Sequence, residues 1–154
     1  MKDKINEYIE YIVRIKKSSR NTADSYRRDL NHMADFLVES GINSFDRVTY
    51  TNINAYILYM EKTGKSPSTI VRNISSMKTF FRFMIAKRYI EMEPTELIEP
   101  PRVEKKQTKE ASEATIEKLL RQPKGDFPMV LRDRAMLLLL YSTGMKVSEI
   151  TDIR

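Results

Sequence analysis

Apolar residues recur at every third or fourth position through the first 90 residues, and this periodicity constrains the fold more than any other feature. The pattern is clearest after Ser66-Pro67, where apolar residues line one face of a helix that turns about 100° per residue. Serine is a good N-cap and proline is tolerated in the first turn, so this pair predicts where the helix begins. The apolar face consists of Ile70, Ile74, Met77, Phe81, Met84 and Ile85.

Three further helical patterns precede this one. The second helix is expected to be capped by Asn21 or Thr22, and the third by Thr49 or Thr51. No segment shows the sustained alternation of polar and apolar residues that is typical of strands. The sequence therefore predicts an all-α bundle of four or five helices over residues 1–95.

The composition changes after the bundle, because residues 91–111 hold three prolines and mixed charges without periodicity. Residues 96–111 are therefore predicted to form an interdomain linker. Two more helical patterns follow, one capped by Ser112 and one beginning at about Pro128. Residues 112–154 are too few to bury a core of their own, and we expect them to be the first helices of a second, truncated domain.

The charge of the chain indicates a polyanionic partner. The net charge is +6, and the isoelectric point is near 9.5. Seven lysines and arginines lie between Lys62 and Ile90, with no Asp or Glu among them, whereas acids and bases roughly balance elsewhere. A segment of this kind favours contact with nucleic acid.

The composition also argues against several other classes of function. The chain has no cysteine and a single histidine, His32, which excludes disulfides, thiolate metal sites and histidine-based triads or zinc sites. We therefore expect no metal and no cofactor. No apolar run approaches the ~20 residues of a membrane span, and the N-terminus lacks the apolar core of a signal peptide, so we expect a cytoplasmic protein without a membrane partner.

The exposed face of the fourth helix, opposite its apolar face, carries hydroxyl groups and arginines. Hydroxyls and arginines bond phosphate oxygens, arginine also binds guanine edges, and a carboxylate would be repelled. This face is therefore predicted to contact DNA; the alternative is a solvated face that lacks acids. Two arginines of the second helix lie off its apolar face and are predicted to help. The predicted DNA-binding residues are Arg27, Arg28, Ser66, Thr69, Arg72, Ser76, Thr79 and Arg82.

Three segments resemble, in order and spacing, the Xer-type tyrosine recombinases of the phage integrase family. They are "NTADSYRRDLNHMADFL", "SPSTIVRNISSMKTFFRFM" and "LRDRAMLLLLYSTGMKVSEI", of which the last is the most specific. The resemblance implies a SAM-like core-binding domain, joined by a linker to a catalytic domain, with the two closing around double-stranded DNA at a recombination site. It also implies strand exchange through a phosphotyrosyl intermediate, with other recombinase protomers as partners on the DNA.

The resemblance places one catalytic position of the family inside this chain. It is the first arginine of the catalytic set, and the residue there is Lys146; the tyrosine nucleophile would lie beyond Arg154, so the 154 residues alone are expected to be inactive. Lysine keeps the positive charge but loses the bidentate geometry of a guanidinium. Three interpretations stay open: a working natural variant, an inactivating change, or a diverged protein that binds DNA without cutting it.

Two hypotheses for the function follow. In the first, the chain is the DNA-holding portion of a site-specific recombinase. In the second, it is a non-catalytic, regulatory DNA-binding protein on the same helical module. A protein-interaction bundle that binds no nucleic acid is the least favoured reading.

Overall fold

A computed structural model describes residues 1–102 and 110–153 and divides the chain into two compact units, Met1–Glu104 and Lys105–Arg154. The first unit contains α1 (Lys2–Arg14), α2 (Arg20–Glu39), α3 (Tyr50–Lys62) and α4 (Pro67–Ala86). The second contains α5 (Glu113–Leu120), α6 (Pro128–Thr143) and α7 (Val147–Thr151). No strand occurs in either described range, which confirms the predicted all-α class.

The core of the first unit forms around α4, which contacts α1, α2 and α3. Five of the six residues predicted for its apolar face are buried, and Ile85 is partly buried. A 3₁₀ turn, Phe45–Arg47, which the periodicity did not predict, adds Phe45 to this core. The Phe45 ring lies 4.9 Å from Phe80 in an edge-to-face arrangement, a geometry that aromatic pairs prefer.

Serine or threonine side chains cap α2, α3, α4 and α5, and one of the predicted caps was assigned to the wrong residue. Thr49 and Ser66 accept hydrogen bonds from backbone N–H groups of the first turns of α3 and α4, as predicted. The cap of α2 is Ser19, whose hydroxyl accepts from the Thr22 backbone N–H at 3.2 Å. The prediction of Asn21 or Thr22 is wrong, because Thr22 is the third helical residue and supplies the donor.

The chain stays packed on the first unit beyond the end of α4. Thr95 and Ile98 are buried, and the Ile98 backbone N–H donates to the Thr95 carbonyl at 3.1 Å. Ile98 belongs to the core although it falls within the predicted linker. The sequence pattern did not reveal this, because a single buried residue in a turn produces no periodicity. Residues 103–109 of that linker lie outside the described residues, and the domain boundaries stay predictions.

The second unit is assembled around α6, which contacts α5 and α7. Gly144 ends α6 in the left-handed region with a φ of +67°, and α7 begins at Val147. Ile150 is the only buried residue in the part of this unit that the structure describes. None of the helices in the described ranges is long and apolar enough to cross a membrane.

Candidate nucleic-acid interface

A cleft of about 480 Å³ opens between α2, α3 and α4 in the first unit. We call it the α2–α4 cleft. It contains three of the residues predicted to bind DNA, Arg28, Thr69 and Arg72. Arg28 is exposed and has no carboxylate within ion-pair distance among the described residues. The side chains of α2 and α4 that line the cleft are Arg28, Asp29, His32, Asp35, Phe36, Glu39, Thr69, Arg72 and Asn73.

Arg72 forms a bidentate ion pair with Asp29 across this cleft. Its Nε donates to Asp29 Oδ2 and its Nη2 donates to Asp29 Oδ1, both at 2.9 Å. The Asp29 side chain is 3% exposed, whereas that of Arg72 is 46% exposed. The hydrogen bond to Asp29 raises the pKa of Arg72 above its ordinary value. The guanidinium is therefore anchored on a buried acid, while about half of the Arg72 side chain stays exposed.

Asp29, which supplies the buried half of this pair, was not predicted from the sequence. The acid-free segment around Arg72 indicated an unpaired arginine, but the partner comes from another helix. A signal was present, because Asp29 lies three residues after Tyr26 and four before Met33, on the apolar face of α2. A carboxylate at such a position needs a buried partner.

A hydrogen-bonded network forms the floor of the cleft beside this pair. The Asn73 amide donates to the Thr69 carbonyl at 3.0 Å and accepts from the Tyr56 hydroxyl at 3.4 Å. Burial, and then the charge of Asp29, raises the pKa of Tyr56. Among the described residues, every buried side-chain polar atom has a hydrogen-bond partner.

Ser76 does not lie on the exposed face, and that part of the prediction is wrong. Its side chain is fully buried, and its hydroxyl donates to the Asn73 carbonyl at 2.8 Å. Ser76 precedes Phe80 by four residues and Phe83 by seven, so the three share a side of α4 that packs into the core.

Thr79 and Arg82 line a different cleft, between α1, α2 and α4, which we call the α1–α4 cleft. The Thr79 hydroxyl accepts from Tyr8 at 2.8 Å and donates to backbone carbonyls of its own helix. Burial raises the pKa of Tyr8 to about 12, against a smaller lowering by the Thr79 hydrogen bond. Arg72 and Arg82 are ten residues apart, or about 15 Å along the helix. The structure thus divides the predicted face between two clefts.

Two of the remaining predicted arginines form weak surface pairs. Arg82 lies 3.6 Å from Glu93, and Arg27 lies 3.6 Å from Asp24, with both arginine side chains largely exposed. The exposed Arg27–Asp24 pair contributes about 0–1 kcal/mol. In the Arg82–Glu93 pair the carboxylate is 19% exposed, but the arginine itself is 68% exposed and stays accessible to another anion.

The hydroxyl of Ser66 is committed to the start of α4. It accepts from the Thr69 backbone N–H at 3.3 Å and lies 2.9 Å from the Thr69 hydroxyl. Its first role is therefore that of a cap, although the residue is exposed.

Lys146 lies in the second unit, directly before α7. Its backbone N–H donates to the Glu149 carboxylate at 2.8 Å, and the residue is exposed. The arrangement leaves the ammonium at the surface of that unit, on the loop that follows Gly144.

The chain matches a family model described as "Phage integrase, N-terminal SAM-like domain" over residues 5–88, more than half its length. It is 35% identical over 149 residues to tyrosine recombinase XerD of Staphylococcus epidermidis, covering 97% of this chain and 50% of that protein. It is 32% identical over 151 residues to tyrosine recombinase XerC of Herpetosiphon aurantiacus, covering 97% and 49%. The chain spans about half the length of the curated relatives it matches. These matches confirm the resemblance drawn from the sequence: the chain belongs to the Xer-type tyrosine recombinases of the phage integrase family.

Proposed function

We propose that this chain is the DNA-holding portion of a site-specific tyrosine recombinase, and that α2 and α4 bind a double-stranded recombination site. The observation that carries the proposal is the α2–α4 cleft, where Arg28, Thr69 and Arg72 come together from two helices. Arginine and hydroxyl groups on adjacent helices can bind neighbouring phosphates and base edges of one duplex.

The electrostatics of α4 support this assignment. From Lys62 to Ile90 the chain carries seven basic residues and no acid, so only acids from other segments offset its charge. Arg27 and Arg82 form only long pairs of 3.6 Å, and both arginine side chains keep substantial exposure, so both can turn to phosphate. We therefore assign Arg27, Arg28 and Arg82 to phosphate, with Thr69 in the same cleft as Arg28, Thr79 in the same cleft as Arg82, and Ser66 as a further hydroxyl.

The whole recombinase would cut and rejoin DNA through a phosphotyrosyl intermediate in the cytoplasm, acting with other protomers on the same site. In that protein Lys146 occupies the first catalytic arginine position and supplies a positive charge to the scissile phosphate. Residues 1–95 would form the core-binding domain, 96–111 the linker, whose Ile98 packs into the core of the first unit, and 112–154 the start of the catalytic domain. The matched relatives named above are recombinases, so no observation favours the regulatory alternative.

The test is a titration of the chain with fluorescent duplexes at several salt concentrations. If about 4 to 6 phosphates are neutralised, log K falls with log salt with a slope of roughly −4 to −5. Arg28→Ala and Arg82→Ala should each weaken binding to all duplexes and reduce the slope by about one. Lys118→Ala, an exposed lysine of α5, serves as the matched control and should change neither quantity. Binding that is unaffected by both arginine variants would remove these helices from the interface.

A further inference from the structure

We propose that Arg72 recognises a guanine base, that Asp29 positions it for this contact, and that the pair sets sequence specificity instead of neutralising phosphate. The inference rests on the proposed function and deepens it, because it assigns separate roles to two arginines of the same cleft.

Asp29 occupies only one edge of the Arg72 guanidinium. A guanidinium has five N–H donors, and Asp29 accepts two of them, from Nε and Nη2. This side-on pairing leaves the end edge, formed by Nη1 and the outer N–H of Nη2. Two parallel donors on that edge match the O6 and N7 acceptors of guanine in the major groove.

The two hydrogen bonds to Asp29 order the Arg72 side chain in the absence of DNA. A free arginine loses about 1.5–2 kcal/mol of rotamer entropy when it is immobilised. Here a buried carboxylate on α2 fixes the guanidinium before DNA arrives, while the Arg72 side chain as a whole stays 46% exposed. Preorganised donors discriminate better, because a wrong base leaves them unpaired.

The charge of the Asp29–Arg72 pair favours a base over a phosphate. The Asp29–Arg72 pair carries no net charge, so replacing a counterion with it gains little. A phosphate at this point would also lie close to the Asp29 carboxylate, whereas a base edge is neutral. Arg28, in the same cleft, has no carboxylate within ion-pair distance in the described ranges and is suited to phosphate.

The other groups of the cleft leave this role to Arg72. Both functions of the Asn73 amide are used within the protein, by Thr69 and Tyr56. Asp35 and Glu39 line the cleft farther along α2, where their charge disfavours phosphate. We therefore assign phosphate to Arg28 and a base edge to Arg72.

The experiment begins with a duplex selected from a randomised pool by the unaltered chain. Each guanine of that duplex is replaced in turn by 7-deazaguanine, which removes the N7 acceptor without changing charge. We expect at least one position where this replacement weakens binding, and a change of that base pair to another should cost about 5- to 150-fold.

The matched variant is the double substitution Asp29→Asn with Arg72→Gln, which leaves a neutral pair and no unpaired buried charge. It should lose the sensitivity at that guanine while keeping the salt slope. Asp29→Asn alone should weaken discrimination there and spare sequence-independent binding, the mark of a positioning residue.

Three results would overturn the proposal while leaving the proposed function intact. The first is that the unaltered chain tolerates 7-deazaguanine at every position, a test that does not depend on the folding of any variant. The second is a double variant that binds all duplexes evenly more weakly with a slope reduced by about one, which assigns Arg72 to phosphate. The third is an Asp29→Asn chain with full discrimination. If the unaltered chain binds no duplex at all, the proposed function itself fails.

Discussion

Replacing Arg72 by alanine should destabilise the first unit, quite apart from any effect on DNA binding. The substitution leaves the Asp29 carboxylate, 3% exposed, with neither of its two arginine hydrogen bonds. Removing one partner of a fully buried ion pair costs about 3–5 kcal/mol, whereas exposed pairs are worth about 0–1. Since the Arg72 side chain is 46% exposed, water screens the pair from one side, and we expect a cost of about 2 kcal/mol.

The reverse substitution should cost less. In Asp29→Asn the arginine loses a charged acceptor, but its half-exposed guanidinium can hydrate, and the nearly isosteric amide can still accept one of the two hydrogen bonds through its oxygen. We expect about 1 kcal/mol or less for this change. The asymmetry between the two variants is therefore the sharper part of the prediction.

Urea unfolding followed by the near-ultraviolet signal of tyrosine measures both costs in the right unit, because seven of the eight tyrosines precede residue 90. A loss of about 2 kcal/mol corresponds to a drop of about 10 °C in Tm for a domain of this size. Equal, small costs for Arg72→Ala and Asp29→Asn, below about 0.5 kcal/mol, would show that the pair is a solvated surface contact, and the reasoning would be refuted.

Two further predictions concern the core. Phe45→Ala should lower the free energy of unfolding by about 3–5 kcal/mol, because Phe45 is buried against Phe80. Phe127→Ala, at an exposed residue, should change the free energy of unfolding by less than about 0.5 kcal/mol in the same urea assay. Burial raises the pKa of Tyr8 to about 12, whereas the pKa of a tyrosine in the unfolded chain is about 10. As the pH rises, the unfolded chain therefore loses this proton first, and the stability that is present below about pH 10 is lost progressively up to about pH 12. Urea unfolding at several pH values in this range gives the slope of unfolding free energy against pH. In Tyr8→Phe this slope should be smaller by the equivalent of about one proton, and an unchanged slope would contradict the raised pKa of Tyr8.

Periodicity and capping chemistry predicted the helices because each signal is local. The start of α4 at Ser66-Pro67 and the Thr49 cap both depend on neighbours within one turn. Phe45 escaped prediction because a three-residue turn has no period, and its burial depends on rings distant in sequence.

The candidate site was predictable in its residue types but not in its pairings. Arg28, Thr69 and Arg72 were identified from hydroxyl and arginine content, and the structure brings them into one cleft. Ser76 was misplaced because α4 packs against three helices, which bury a wider arc than one apolar face. The Asp29–Arg72 pair joins residues 43 positions apart, a distance at which helical spacing carries no information.

The same pair joins α2 to α4 and holds the proposed base contact, so stability and recognition are coupled at one residue. A loss of DNA binding in Arg72→Ala is therefore ambiguous, because unpairing Asp29 loosens the two helices that carry the other contacts. Asp29→Asn separates the effects, since it leaves the exposed arginine solvated and the fold largely intact while it releases the guanidinium. If recognition depends on a fixed guanidinium, discrimination should fall in this variant far more than stability does. If the pair serves only the fold, discrimination and overall affinity should fall together, in proportion to the fraction of chain that unfolds.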